Sequence, residues 1–283
     1  MTKKFPFLIL LPAVLLLGTG CPAPQSEHQT ITIKGSDTMV QLGQQWAEHY
    51  MKEHPDVTIQ VTAGGSGNGI AALIDGTTQI CQASRSMKDA EKESLKTKRN
   101  LEAVETPVAL DALAVYVNKE NPIKTLTMEQ IGKIYLGEIT DWKDVGGTPG
   151  NIVLYGRENS SGTYDYFKEH VLGGKDFPAK YQALPGTGAV VNAVAQDKRG
   201  IGYGGIGYAT DIKTIGIAKD AQETAIEPSM ANVLNGSYPI SRQLYWYTAG
   251  PPEGAVKALL DWVLGPEGQK VVSEKGFYPL KGD

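Results

Sequence analysis

Apolar residues recur along this chain at two spacings, every second residue and every third or fourth, and the two alternate from the N-terminal side onward. TITIK (30–34) and VTIQV (57–61) read as half-buried strands, whereas Met39, Leu42, Trp46 and Tyr50 between them fall on one helical face. A short helix over Ile70 to Ile74 and a strand over Ile80 to Ala83 follow, then an apolar run from Val104 to Val117. TMEQ (127–130) is a capping box that predicts a helix through Tyr135, and NIVLY returns to strand. Helices are expected after Thr163 and Gly188, and GIGYGGIGY (200–208) holds a strand with turns. Val256, Leu259, Leu260 and Val263 mark a further helix, and Pro266 sits where a first-turn proline opens another. This βα series predicts an α/β fold with ligands at the C-terminal ends of the strands.

Length divides that series. At 283 residues the chain exceeds one ordinary domain, yet no low-complexity linker or internal repeat interrupts it. Two lobes must therefore be joined by crossing strands. ETPVALDALAVYV (105–117) is long enough to leave one sheet and enter another, and YPISRQLYWY (238–247) is the candidate for the return. The expected division is lobe one over 29–109 and 239–283, and lobe two over 110–238.

Composition adds an address. Lys3 and Lys4 precede an apolar stretch from Phe5 to Leu17, too short to span a bilayer, and GTGC ends it at Cys21. The segment resembles a bacterial lipoprotein signal peptide over 1–20, with Cys21 as the lipid-bearing residue and 21–28 as a polar tether. Gly18 stands where such signals usually carry Leu, which leaves simple secretion as the alternative. The remainder, with 25 basic and 31 acidic residues, has no basic stripe interleaved with aromatics, so nucleic acid is not an expected partner. Cys81, the second of two cysteines, reads as a small core residue. Glycine is abundant, 33 residues or about 12% against about 7% on average, and predicts many close backbone approaches.

Many of those glycines fall after strands. KGSDTM (34–39), GGSGNGI (64–70), ASRSM (83–87) and YGRENSSGTY (155–164) each place glycine, a hydroxyl or both between a strand end and a helix start. Such starts expose backbone N–H groups and a partial positive charge, which favour a bound anion. Ser and Thr add donors, and Arg85 and Arg157 can each present a planar fork to an oxyanion. Any one loop could be no more than a capped helix. Four of them aimed from two lobes at one cleft would make a cage for a tetrahedral anion.

The order of these pieces, from IKGSDTM through RENSSGT and GIGYGGIGY to YPISRQLY and GPEGQKVVSEKGFYPL, resembles the phosphate-binding proteins that serve phosphate ABC transporters. The resemblance implies a type II periplasmic-binding-protein fold, two α/β lobes joined by two crossing strands and closing on inorganic phosphate. It further implies a monomer in the periplasm or at the cell surface, with the permease subunits of the transporter as partners and no cofactor. Ser36, Asp37 and Thr38 match the family's first phosphate loop, Ser66 and Gly67 the second, Ser84 and Arg85 the third. Arg157, Ser161, Gly162 and Thr163 match the cluster of the other lobe, with Ser160 as a neighbour.

The match has one departure. Some members carry an aspartate at the Arg85 position, where it accepts the proton of hydrogen phosphate. Arg85 cannot accept, so Asp37 becomes the candidate acceptor, its alternative being a plain N-cap.

Catalysis finds little support. GGSGNG lacks the lysine of a nucleotide P-loop, and Ser66 lacks the G-x-S-x-G spacing of a nucleophile elbow. His28, His49, His54 and His170 form no metal-ligand pattern, and the reading is of a binding protein, not an enzyme. The remaining rivals are a binder of sulfate, molybdate or tungstate, and a phosphate sensor or adhesin.

Overall fold

The computed structural model describes residues 1–3 and 28–280. The cleavage site, Cys21 and most of the expected tether lie outside the described residues.

Three βα units open the fold: β1 (Gln29–Gly35), α1 (Val40–Glu53), β2 (Val57–Thr62), α2 (Ser66–Ile74), β3 (Ile80–Ala83) and α3 (Asp89–Arg99). The strands are parallel, so their C-terminal ends, each followed by a helix start, share one edge. The expected face of α1 is buried through Leu42, Trp46 and Tyr50, and the Trp46 indole donates to Gly268 O at 2.8 Å. Helix α2 begins at Ser66, ahead of its apolar residues, because its glycine-rich first turn packs against other backbone. No apolar periodicity announces α3. Its one buried residue is Leu95, and acidic residues in its first turn and basic ones in its last complement the helix dipole.

Strand β4 (Ala103–Val117) then crosses into the second half, built of β5 (Thr125–Thr127), α4 (Met128–Tyr135), β6 (Val153–Arg157), α5 (Gly162–His170), β7 (Gln182–Leu184), α6 (Thr187–Gln196) and β8 (Gly200–Gly205). Short strands β9 (Lys213–Thr214) and β10 (Gly216–Ala218) and helix α7 (Met230–Leu234) precede β11 (Ser241–Ala249), which returns to the first half; α8 (Gly254–Leu264) and α9 (Pro266–Glu274) finish it. The expected capping box opens α4, with Thr127 Oγ1 accepting from Gln130 N at 3.1 Å.

The main sheet runs β2-β1-β3-β11-β4-β8-β6-β7, with β9 also on β4. Strand β4 pairs antiparallel with β11 from Ala103 to Ala112 and with β8 from Leu113 to Val117, so one strand serves both halves. Strand β11 itself shifts register between Leu244 and Tyr245.

One buried apolar cluster spans the two halves, joining Ile31, Trp46 and Leu259 to Tyr116, Val190 and Tyr208, and another fills the second half around Tyr135 and Phe167. Trp46 meets Trp246 edge to face with centroids 5.3 Å apart in the first half, and Phe167 stacks on Tyr203 at 3.9 Å in the second. Cys81 is buried in a small cluster beneath α2, and burial pushes its thiol up, as expected of an inert core cysteine. Among the described residues no helix is long and apolar enough to cross a membrane.

Candidate functional site

The ends of β1, β2 and β3 are tied together by backbone. Gly35 has φ +139°, and a Cβ there would lie 2.1 Å from Gln82 O, so only glycine lets the first loop lie against β3. Ser36 N donates to Gln82 O at 2.8 Å, and Gly65 N donates to Gly35 O at 3.0 Å. Asp37 Oδ1 accepts from Gly64 N at 3.1 Å, fastening the first loop to the second. Ser66 Oγ accepts from Ser84 N at 3.1 Å and lies 3.3 Å from Ser84 Oγ, fastening the second to the third. Ser36, Thr38, Ser66 and Ser84 are all buried.

Loops of the second half press into these. Arg157, at the end of β6, is fully buried; its Nη2 donates to Asp37 Oδ2 at 2.6 Å and its Nη1 to Thr187 Oγ1 at 3.0 Å. Ser161 caps α5, its hydroxyl accepting from Thr163 N and Tyr164 N. Thr163 Oγ1 stands 2.9 Å from Thr38 Oγ1. At Gly162 a Cβ would lie 2.4 Å from Ser66 Oγ and 2.9 Å from Ser84 Oγ, so the absence of a side chain is what allows this approach. Ser36 Oγ and Arg157 Nε are buried without a partner among the described residues.

The helix starts at Ser66 and Gly162 therefore meet each other, and the helix start at Thr187 meets the buried Arg157 guanidinium. Oriented amides, hydroxyls and a fixed positive charge in one dry place are what an oxyanion needs. Asp37 does not cap α1: the cap residue is Met39, and no side chain serves it. Its carboxylate faces Arg157 instead, and its main-chain carbonyl accepts from Tyr208 Oη at 2.7 Å. Burial, with Asp37 adding to it, pushes the Tyr208 hydroxyl up to about 12, so it remains a donor.

Arg85 and Gly67 have protein partners of their own. Arg85 points its fork away from the hydroxyl cluster, donating to both oxygens of Glu91 at 2.8 and 2.7 Å and to Ser86 O at 2.9 Å. Its Nε lies 2.9 Å from Asp165 Oδ2 on α5, across the cleft. The Arg85 fork, expected to face an anion, is here paired with a bidentate carboxylate from its own helix. Burial acts to raise the Glu91 carboxyl, but hydrogen bonds from Arg85 and Lys88 N, with the charge of Arg85, outweigh it and hold Glu91 below its ordinary value. Gly67 lies in the seam, its amide donating to Ser160 O at 3.0 Å.

Several polar residues of the region went unread in the sequence. Thr187 orients Arg157. Asp111 on β4 and Arg242 on β11 form a buried pair, Arg242 Nε and Nη2 donating to Asp111 Oδ2 at 3.0 and 2.8 Å. Burial raises the Asp111 carboxyl above its ordinary range, with Arg242 opposing it. A signal was present, since Asp111 directly precedes the apolar run of β4 and Arg242 is the one charge of β11, and a charge buried in a crossing strand must be paired. The histidines stay outside this centre. His54 stacks on Tyr50 and His170 on Tyr166, and among the described residues no group of His, Cys, Asp or Glu could hold a metal.

The profile of the PBP superfamily domain matches residues 22–267. The phosphate-binding protein PstS of Pseudomonas aeruginosa strain PAO1 is 40% identical over 263 residues, covering 87% of this chain and 81% of that protein. This chain belongs to the PstS family of phosphate ABC transporter substrate-binding proteins. The Bacillus subtilis strain 168 member is 30% identical over 98% of this chain and 94% of its own length. A Clostridium perfringens structure described as a phosphate ABC transporter substrate-binding protein with bound phosphate is 31% identical, with a TM-score of 0.81, covering 89% of this chain and all of that one. The architecture is accordingly the two-lobe type II fold of the family, with β4 and β11 as its crossing strands.

Proposed function

We propose that the protein binds inorganic phosphate between its lobes, outside the cytoplasm, and delivers it without chemical turnover to the permease of an ABC transporter. One observation carries the reading. Arg157 and the Ser161–Thr163 turn meet the Ser36–Thr38 loop, Ser66 and Ser84 in a single cluster of hydroxyls around a buried positive charge. The PstS relatives support phosphate as the anion.

In this reading the hydroxyls of Ser36, Thr38, Ser66, Ser84, Ser161 and Thr163 and the Arg157 guanidinium surround the anion, with Gly162 leaving room for it. Asp37 accepts the proton of hydrogen phosphate, which fully ionised sulfate lacks. Arg85 and Gly67 hold the lobes closed from outside the shell. In this reading the lobes part where β4 changes partner from β11 to β8, between Ala112 and Leu113. Closure about β4 and β11 excludes water and strengthens each contact. Cys21 carries a lipid that retains the protein at the membrane beside its permease.

The test is calorimetric titration of ligand-stripped protein with phosphate, sulfate and molybdate. A single saturable site with phosphate preferred is expected. Tighter binding of either other anion, or no saturable heat with phosphate, overturns the proposal.

A further inference from the structure

Arg242 stands beside the phosphate cluster without belonging to any of its four loops. Its Nη2 donates to Thr163 Oγ1 at 3.1 Å while Nε and Nη2 grip Asp111 Oδ2, and Asp111 Oδ1 accepts from Ile206 N at 3.0 Å. Arg242 and Asp111 are direct cross-strand partners on the two crossing strands, and both are buried. The guanidinium carbon also lies 5.5 Å from the centre of the Tyr166 ring, so Arg242 touches α5 at two places, Thr163 and Tyr166. Its Nη1 is buried with no partner among the described residues.

Hydrogen-bond polarity gives this arrangement a consequence. A guanidinium can only donate, so Thr163 Oγ1 must accept from Arg242, and one of its two lone pairs is filled. With Thr38 Oγ1, 2.9 Å away, donating into the second lone pair, the single hydroxyl proton of Thr163 is turned toward the space between the lobes. We propose that Arg242 is a positioning residue of the anion site: held by Asp111 across the crossing strands, it fixes Thr163 as a hydrogen-bond donor to the bound phosphate. The inference rests on the phosphate reading above. It supplies the second guanidinium that sequence reasoning sought in Arg85, acting through a threonine instead of by contact.

The test is a double-mutant cycle read by calorimetry with inorganic phosphate. T163V and R242M are each expected to weaken binding by about tenfold, the size of one hydrogen bond to a charged group. The double variant should be no more than about threefold weaker than the worse single one, because both remove the same bond. R242K, which can donate but not in a planar fork, should recover part of the loss. R242M leaves Asp111 buried and unpaired, so the cycle is repeated in D111N/R242M, which carries neither charge. There T163V should cost no more than about threefold. Wild-type protein titrated alongside separates the two claims. No phosphate heat with wild type sinks the phosphate reading, whereas wild-type binding with T163V equally costly in every background sinks the role of Arg242 alone.

Discussion

Asp37 Oδ2 lies 2.6 Å from Arg157 Nη2, joining residues 120 positions apart across the cleft. The contact gives the carboxylate two duties, as partner of the guanidinium and as the acceptor that a protonated anion would meet. D37N keeps the shape and loses the charge. We expect the preference for phosphate over sulfate to fall by about tenfold or more, since a hydrogen bond to a charged group contributes about 1.5–3 kcal/mol. Competition calorimetry at neutral pH measures it, and unchanged discrimination removes Asp37 from selectivity.

Gly162 makes closure testable without touching a charge. A methyl there would sit 2.4 Å from Ser66 Oγ, on the opposing lobe. G162A should fold with nearly the wild-type melting temperature, because each lobe keeps its core, yet bind phosphate at least about tenfold more weakly by holding the lobes apart. Small-angle scattering with saturating phosphate should show a larger radius than wild type. A compact, tight-binding G162A would show that the lobes meet differently.

Arg85 should act on rate more than on stoichiometry. Its bidentate grip on Glu91 sets its Nε against Asp165, which also pairs with Lys88 at 3.1 Å. D165N breaks the contact between lobes while leaving Arg85 and Glu91 paired. Phosphate dissociation by stopped flow should accelerate by several-fold to about tenfold, with one site retained, the range for a half-buried ion pair. A loss beyond about a hundredfold in affinity on R85M, with D165N silent, would return Arg85 to the anion shell.

Glu91 gives this closure contact a pH limit. Its carboxyl is held below the ordinary value of 4.5, so the pairing stabilises the folded protein above that pH and the contribution disappears as pH falls through the lowered folded value. E91Q should be less stable than wild type by about 1 kcal/mol at pH 7, a figure discounted for partial exposure. The two denaturation curves should converge once pH has fallen through the lowered folded value, and a gap that persists in acid means that Glu91 acts through packing and not charge.

Local residue patterns were enough to specify most of the elements and the chemistry they present. Period-two and helical spacing marked β1, α1, β2 and the two C-terminal helices, because burial of one face imposes that pattern on any chain. Glycine and hydroxyl residues after the strands announced an anion site, since few other residues allow close backbone approach and donate at once. Helix α3, polar on nearly every face, carried no such pattern. Only the tertiary structure decided partners. Whether Arg85 faces an anion or Glu91, and whether Asp37 caps a helix or meets Arg157, depends on which charges the fold brings within 3 Å, and that distance is set by strands far apart in the chain. Arg242 and Asp111 went unread, although each is a charge on a predicted crossing strand. That the partners were each other, with Thr163 between them and the cleft, followed from the register of two crossing strands, which local sequence does not encode.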